Sequence, residues 1–107
     1  MHDATRVLAG QCTITVEGDR SREYRGNVVV LCKPDNTVLV HDASGYQPVA
    51  WLTRAEAVTV AAGVLTATDG DQSLRVESHT EHGTVSYPTS EAGLPVGDCP
   101  DCGGVLV

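Results

Sequence analysis

At 107 residues the chain is one domain with room for a single small core but not for two. Fourteen acidic residues against seven basic ones leave a net charge of −7, which should repel nucleic acid in dilute buffer. No apolar run approaches bilayer-spanning length, and Met1-His2-Asp3-Ala4 lacks the basic and hydrophobic character of a leader, so the expectation is a soluble cytoplasmic protein without membrane contact.

The acidity is of a particular kind. Lys33 is the only lysine, the other six basic residues are arginines, phenylalanine is absent, and Val, Ala, Thr and Gly dominate. This resembles proteins adapted to very high intracellular salt; the other reading is an ordinary acidic cytosolic domain. At about 1 M salt the screening length falls to roughly 3 Å, so repulsion of a polyanion largely disappears. The phosphate-counterion contribution weakens too. A nucleic-acid binder in that setting leans on base stacking, and its few aromatics count for more than its net charge.

Residues 5–17 alternate as a long half-buried strand, with Leu8, Cys12, Ile14 and Val16 on one face and Gln11, Thr13 and Thr15 on the other. Gly10 interrupts the run, as a bulge or barrel corner does. Residues 18–26 read as a polar connection. Val28 to Lys33 and Thr37 to His41 then alternate as two strands about the tight turn Pro34-Asp35-Asn36. A loop with Gly45 and Pro48 delivers Tyr46 and Trp51 to one sheet edge. Trp51 there either plugs the small core or offers a flat stacking face.

Thr53-Arg54-Ala55-Glu56 has the form of a capping box, so one helical turn is expected. Residues 57–68 and 72–78 flank Asp69-Gly70-Asp71, a hairpin signal, and Gly83 to Tyr87 makes a last short strand before Pro88. Six or seven short strands and almost no helix favour a small barrel or sandwich. Its core is expected from Leu8, Ile14, Val16, Val28, Val30, Val38, Val40, Val58, Val60 and Val76. Cys12 and Cys32 alternate with these and read as buried thiols.

From Thr89 the texture changes, so the chain divides into a barrel domain over 1–90 and a tail over 91–107. The tail is a linker followed by Cys99-Pro100-Asp101-Cys102-Gly103-Gly104, half of a zinc ribbon. Structural zinc wants four ligands. Three readings remain open: the chain is cut before a second knuckle, two chains share one zinc, or His79 and His82 complete the set with Cys99 and Cys102. The barrel itself calls for no cofactor. Nor does catalysis suggest itself. The close carboxylate pairs Asp69/Asp71 and Asp98/Asp101 sit in turns or the knuckle, and no nucleophile elbow or Gly-rich phosphate loop is present.

The stretch Lys33-Pro34-Asp35-Asn36-Thr37-Val38-Leu39-Val40-His41, followed by Tyr46-Gln47-Pro48-Val49-Ala50-Trp51, resembles the N-terminal domain of the endonuclease NucS family. The likeness extends to residues 6–12 and 16–18, more weakly to 73–76, and covers roughly residues 5–90. It implies a half-open β-barrel related to Sm-like and OB-like barrels, with a single-stranded DNA site built on a stacking tryptophan and arginines, and a dimer contact. It also implies that the nuclease carboxylates belong to a C-terminal domain that this chain stops before. Trp51 matches the family tryptophan, Arg20 lies near the family's basic position, and Tyr46 stands where some members carry a basic residue. Arg25, Lys33 and Arg54 are candidate backbone contacts by charge, and His41 ends its strand beside the loop.

The expectation is thus a non-catalytic module that binds single-stranded DNA, or RNA, and forms a homodimer through a sheet edge. A nuclease partner or a missing C-terminal region would supply any cleavage. The competing class is a protein-interaction module that kept the dimerising barrel and lost the groove; a third is a regulatory subunit whose incomplete ribbon does the recognition. Exposure of the Trp51 indole separates the first two.

Overall fold

The computed structural model describes residues 4–90, and they are built from strands alone. These are β1 (Ala4–Glu17), β2 (Arg22–Cys32), β3 (Val38–His41), β4 (Ala50–Leu52), β5 (Ala57–Ala61), β6 (Val64–Asp69) and β7 (Gln72–Pro88). All pairings are antiparallel, and one sheet runs in the order β4-β3-β2-β1-β7-β6-β5. The sheet curls until β4 touches β7, although β3, β2 and β1 lie between them in the sheet order. The result is the expected half-open barrel.

Alternation decides which side of the curl each residue faces. Cys12 and Ile14 of β1, Val28 and Val30 of β2, Val38 and Val40 of β3, Ala50 and Leu52 of β4, and Leu74 and Val76 of β7 all turn inward and are buried. Leu8, Val16 and Val58 are partly buried against this cluster. Val60 is not: it is 50 % exposed, because β5 ends the sheet where the barrel stays open. Cys12 and Cys32 are buried free thiols.

Gly10 sits at an irregularity in the pairing of β1 with β7. The register slips on either side of it, leaving His82 and His79 of β7 as the residues without a β1 partner. Each is a β-bulge, and together they let β7 bend around β1. His79 Nε2 lies 2.7 Å from Thr13 Oγ1 and His82 Nε2 3.1 Å from Asn27 Oδ1.

Four sequence expectations are corrected. The polar stretch 18–26 is a connection only as far as Ser21, and β2 begins at Arg22. That half of β2 is bonded to β1 alone and is mostly exposed, so polar residues belong there. The run 57–68 is two strands, because Ala62 (φ 52°) and Gly63 (φ 78°) form a tight hairpin turn. No helical turn forms at 53–56. Arg54 adopts φ 49°, its N–H donates to Thr37 Oγ1 at 3.1 Å, and the Glu56 carboxylate accepts from Gly70 N at 3.3 Å rather than from the loop that a capping box would close. Finally, residues 83–87 continue β7 instead of making a separate strand.

The Asp69-Gly70-Asp71 hairpin is present, with Gly70 at φ 61° and Asp69 facing Gln72. The turn at 33–37 is also as read: Lys33 N donates to Thr37 O at 2.9 Å, and Thr37 N to Asp35 Oδ1 at 3.0 Å.

Candidate nucleic-acid interface

Trp51 is the middle residue of β4, the three-residue strand at one end of the sheet. Its neighbours Ala50 and Leu52 are in the core, so alternation turns the indole to the outer face, where it is 56 % exposed. Leu39 of β3 is its cross-strand partner, and His41, two residues on, shares that face. The 42–49 loop leaves His41 through an Asp42 turn, in which Ser44 N donates to Asp42 Oδ1 at 2.9 Å. It returns where Val49 N donates to Val40 O at 2.8 Å. Between them Gly45 takes φ 69° and Tyr46 stands 85 % exposed.

A cleft of about 450 Å³ lies between β4, the β1–β2 turn and the start of β7. Its walls include Trp51, Ala50 and Leu52 on one side, Arg20, Arg22 and Tyr24 on the other, and Gln72 and Ser73 at the start of β7. Glu17 and Asp19 balance the two arginines formally, so the cleft is not a strongly positive funnel. Its lining thus combines the one tryptophan with two arginines, Arg20 and Arg22.

The structure therefore brings Trp51 and Arg20 to one cleft, sets His41 on the outer face of Trp51, and leaves Tyr46 on the adjoining loop. Arg25 lies elsewhere. It pairs with Glu23 at 3.1 Å and lines a smaller hollow with Gln11, Thr13 and His79. Lys33 opens the β2–β3 turn, where Arg54 approaches Asp35 at 3.6 Å. Arg22, Tyr24 and Leu39 were missed as site residues. Arg22 and Tyr24 fall in phase with Val28 and Val30, so extending that alternation upstream would have placed both on the inner side. Cys99 and Cys102 lie outside the described residues, and no group of three or more His, Cys, Asp or Glu among the described residues could hold a metal ion.

The sequence matches the Endonuclease NucS N-terminal PH-like domain over residues 2–90, and the chain belongs to that family. It is 36 % identical over 93 residues to Endonuclease NucS 1 of Halobacterium salinarum, covering 82 % of this chain and 39 % of the relative. The chain thus spans about two fifths of the length of that curated protein. Among solved structures, a repair endonuclease from Pyrococcus abyssi superposes with a TM-score of 0.80 at 20 % identity, over 90 % of this chain and 44 % of that one. A complex of EndoMS with double-stranded DNA gives 0.72 at 22 % identity, over 87 % of this chain and 41 % of that one. These likenesses establish the shared fold.

Proposed function

We propose that this chain is a non-catalytic nucleic-acid-binding module that stacks bases of single-stranded DNA on Trp51 and also self-associates. The observation that carries the reading is the exposed indole. Of the two readings open to a lone tryptophan in so small a domain, core filling or a stacking face, the exposure favours the second: Trp51 stands 56 % exposed on an end strand, beside Leu39 and lining a cleft with Arg20 and Arg22. Tyr46 offers a second aromatic face on the adjoining loop, 85 % exposed. Base–aromatic stacking contributes about 1–3 kcal/mol per base and depends little on sequence. The family membership and a fold-level neighbour captured with double-stranded DNA add to the reading.

The protein-interaction alternative calls for a buried Trp51 in an apolar edge, and the exposed indole weighs against it. Because Trp51 is the only tryptophan, its emission reports directly on the site. Titration with a short oligonucleotide is expected to quench it, more strongly for single-stranded DNA than for a duplex of the same sequence. An RNA strand of matched sequence tests whether the sugar matters. Unchanged emission with all three, from low to molar salt, would refute nucleic-acid binding at this surface. Self-association is tested separately, by light scattering of the protein in molar salt at micromolar concentration, where a dimer is expected.

A further inference from the structure

The half ribbon Cys99-Pro100-Asp101-Cys102-Gly103-Gly104 takes no part in the function proposed above. Structural zinc is held by four ligands, of which two cysteines supply two. The barrel carries a matching pair. His79 and His82 are the residues of β7 without a partner on β1, one at each bulge. Residues three apart on a regular strand face opposite ways, and the bulges undo that. His79 Nε2 lies 2.7 Å from Thr13 Oγ1, and His82 Nε2 lies 3.1 Å from Asn27 Oδ1. Thr13 pairs with Arg25, and Gln11 with Asn27, across β1 and β2. Thr13 and Asn27 therefore share the outer face, away from the buried Cys12 and Ile14. Both imidazoles reach that one face of the sheet.

The hydrogen bonds also decide which ring nitrogen is free. Asn27 Oδ1 can only accept, so a neutral His82 donates from Nε2 and keeps its lone pair on Nδ1. His79 is held alike when its Nε2–H donates to the Thr13 hydroxyl. Neither Nδ1 has a hydrogen-bond partner among the described residues. One nitrogen tied to an oxygen while the other stays open is the usual state of a metal-binding histidine. We propose that His79 and His82 bind one zinc ion through Nδ1, together with the thiolates of Cys99 and Cys102.

Chain length permits it. The stretch from Ser90 to Cys99 spans up to about 30 Å, against about 26 Å from His82 to Ser90 along the strand. The way back crosses Val85 and Tyr87, both exposed, and the returning segment carries Leu94 and Val96 to set against them. Thr13 and Asn27 are diagonal neighbours, about 7–8 Å apart. Two imidazoles leaning together from those anchors can meet at one ion, with Zn–N distances of about 2.0–2.1 Å. Charge agrees: two thiolates and two neutral imidazoles neutralise the ion. Arg25, which lines a hollow with His79, is already paired with Glu23 at 3.1 Å.

The full chain, reduced and freed of metal, should bind one zinc ion per chain in competition with a chromophoric chelator. Cobalt in its place should give the visible bands of a tetrahedral site with thiolate ligands. Nitrogen NMR of the two imidazoles should show the Nδ1 signals, not the Nε2 signals, move when zinc is added. His79→Gln/His82→Gln removes two ligands from exposed positions. Outer-shell partners of a metal site are already worth about 10–100-fold in affinity, so the double variant should bind zinc more than about a hundredfold more weakly. Circular dichroism and melting of the metal-free proteins check that the variant folds as the parent does. Half a zinc ion per chain, undiminished by the histidine changes, would mean that two copies share their cysteine pairs, and would overturn the site. So would an undiminished affinity at one ion per chain, or a parent that binds no zinc with its thiols reduced.

Discussion

Gly10 of β1 and Thr80 of β7 pass so close that a Cβ built on Gly10 would stand 2.3 Å from the Thr80 carbonyl oxygen. That contact lies between the two bulges at His79 and His82, so the glycine is where the longest strands of the barrel are permitted to bend. Gly10→Ala must push β7 away along its whole middle. The expected cost is about 1–3 kcal/mol, in the range of overpacked interiors. Gly83→Ala, whose added carbon meets nothing within 4 Å, should leave stability nearly unchanged. Urea denaturation of the two variants against the parent makes the comparison; equal midpoints would show that the bend does not depend on Gly10.

Asp35 gives the β2–β3 turn a pH dependence. The hydrogen bond from the Thr37 side chain, with smaller help from Thr37 N and from the charges of Arg54 and Lys33, holds its carboxyl below the ordinary 3.8. A carboxyl depressed in the folded state binds fewer protons there than in the unfolded chain. Its stabilisation is therefore fully present above the ordinary value and is lost as the pH falls through the folded one. Asp35→Asn should lower stability near neutrality and lose less than the parent on acidification below about pH 4. Identical acid titrations of stability for the two proteins would remove Asp35 from the account.

Much of the fold was legible because burial follows alternation. The inward residues of β1, β3 and the first half of β7 could be read from the sequence, as could both turns marked by Pro34-Asp35-Asn36 and Asp69-Gly70-Asp71. What escaped reading lacks that contrast. The first half of β2 is largely exposed, so Arg22 and Tyr24 looked like loop. Ala62-Gly63 turns inside a run of small residues with no polar punctuation. Val60 alternates correctly but faces inward beyond the closed part of the barrel, which no local pattern reveals. The capping box at 53–56 was defeated from a distance, by Thr37 capturing the Arg54 N–H and by Gly70 N taking up the Glu56 carboxylate. At the site, Trp51 and Arg20 were readable as residues, but their shared cleft depends on how far the sheet curls.

The two barrel thiols should be chemically silent. Burial pushes the Cys12 thiol above its ordinary 9.0, against a smaller opposing effect from its hydrogen bond with Ser78. The thiolate is the reactive form. In a Cys99→Ser/Cys102→Ser background, Cys12 and Cys32 should not react with a disulfide reagent at pH 8 in the native protein, and both should react at once in denaturant. Rapid native labelling would mean that the sheet opens between β1 and β7 or β2 far more readily than its packing implies.

Trp51→Ala should weaken single-strand binding more than Arg20→Ala, and the gap should widen with salt. An arginine works mainly through phosphate charge, and that contribution falls steadily as counterions become abundant. Stacking on the indole keeps most of its roughly 1–3 kcal/mol. Loss of one stack thus corresponds to about a tenfold to hundredfold weaker binding even in molar salt. Arg22→Ala, at the same cleft, should behave like Arg20→Ala, whereas Arg25→Ala, whose guanidinium pairs with Glu23 at 3.1 Å away from this cleft, should bind like the parent. Fluorescence anisotropy with a short labelled oligonucleotide, run for all five proteins from low to molar salt, separates the cases. If Trp51→Ala binds as the parent does in every salt, base stacking at β4 is not how this domain holds its ligand. If the parent itself never binds, the protein-interaction reading takes over.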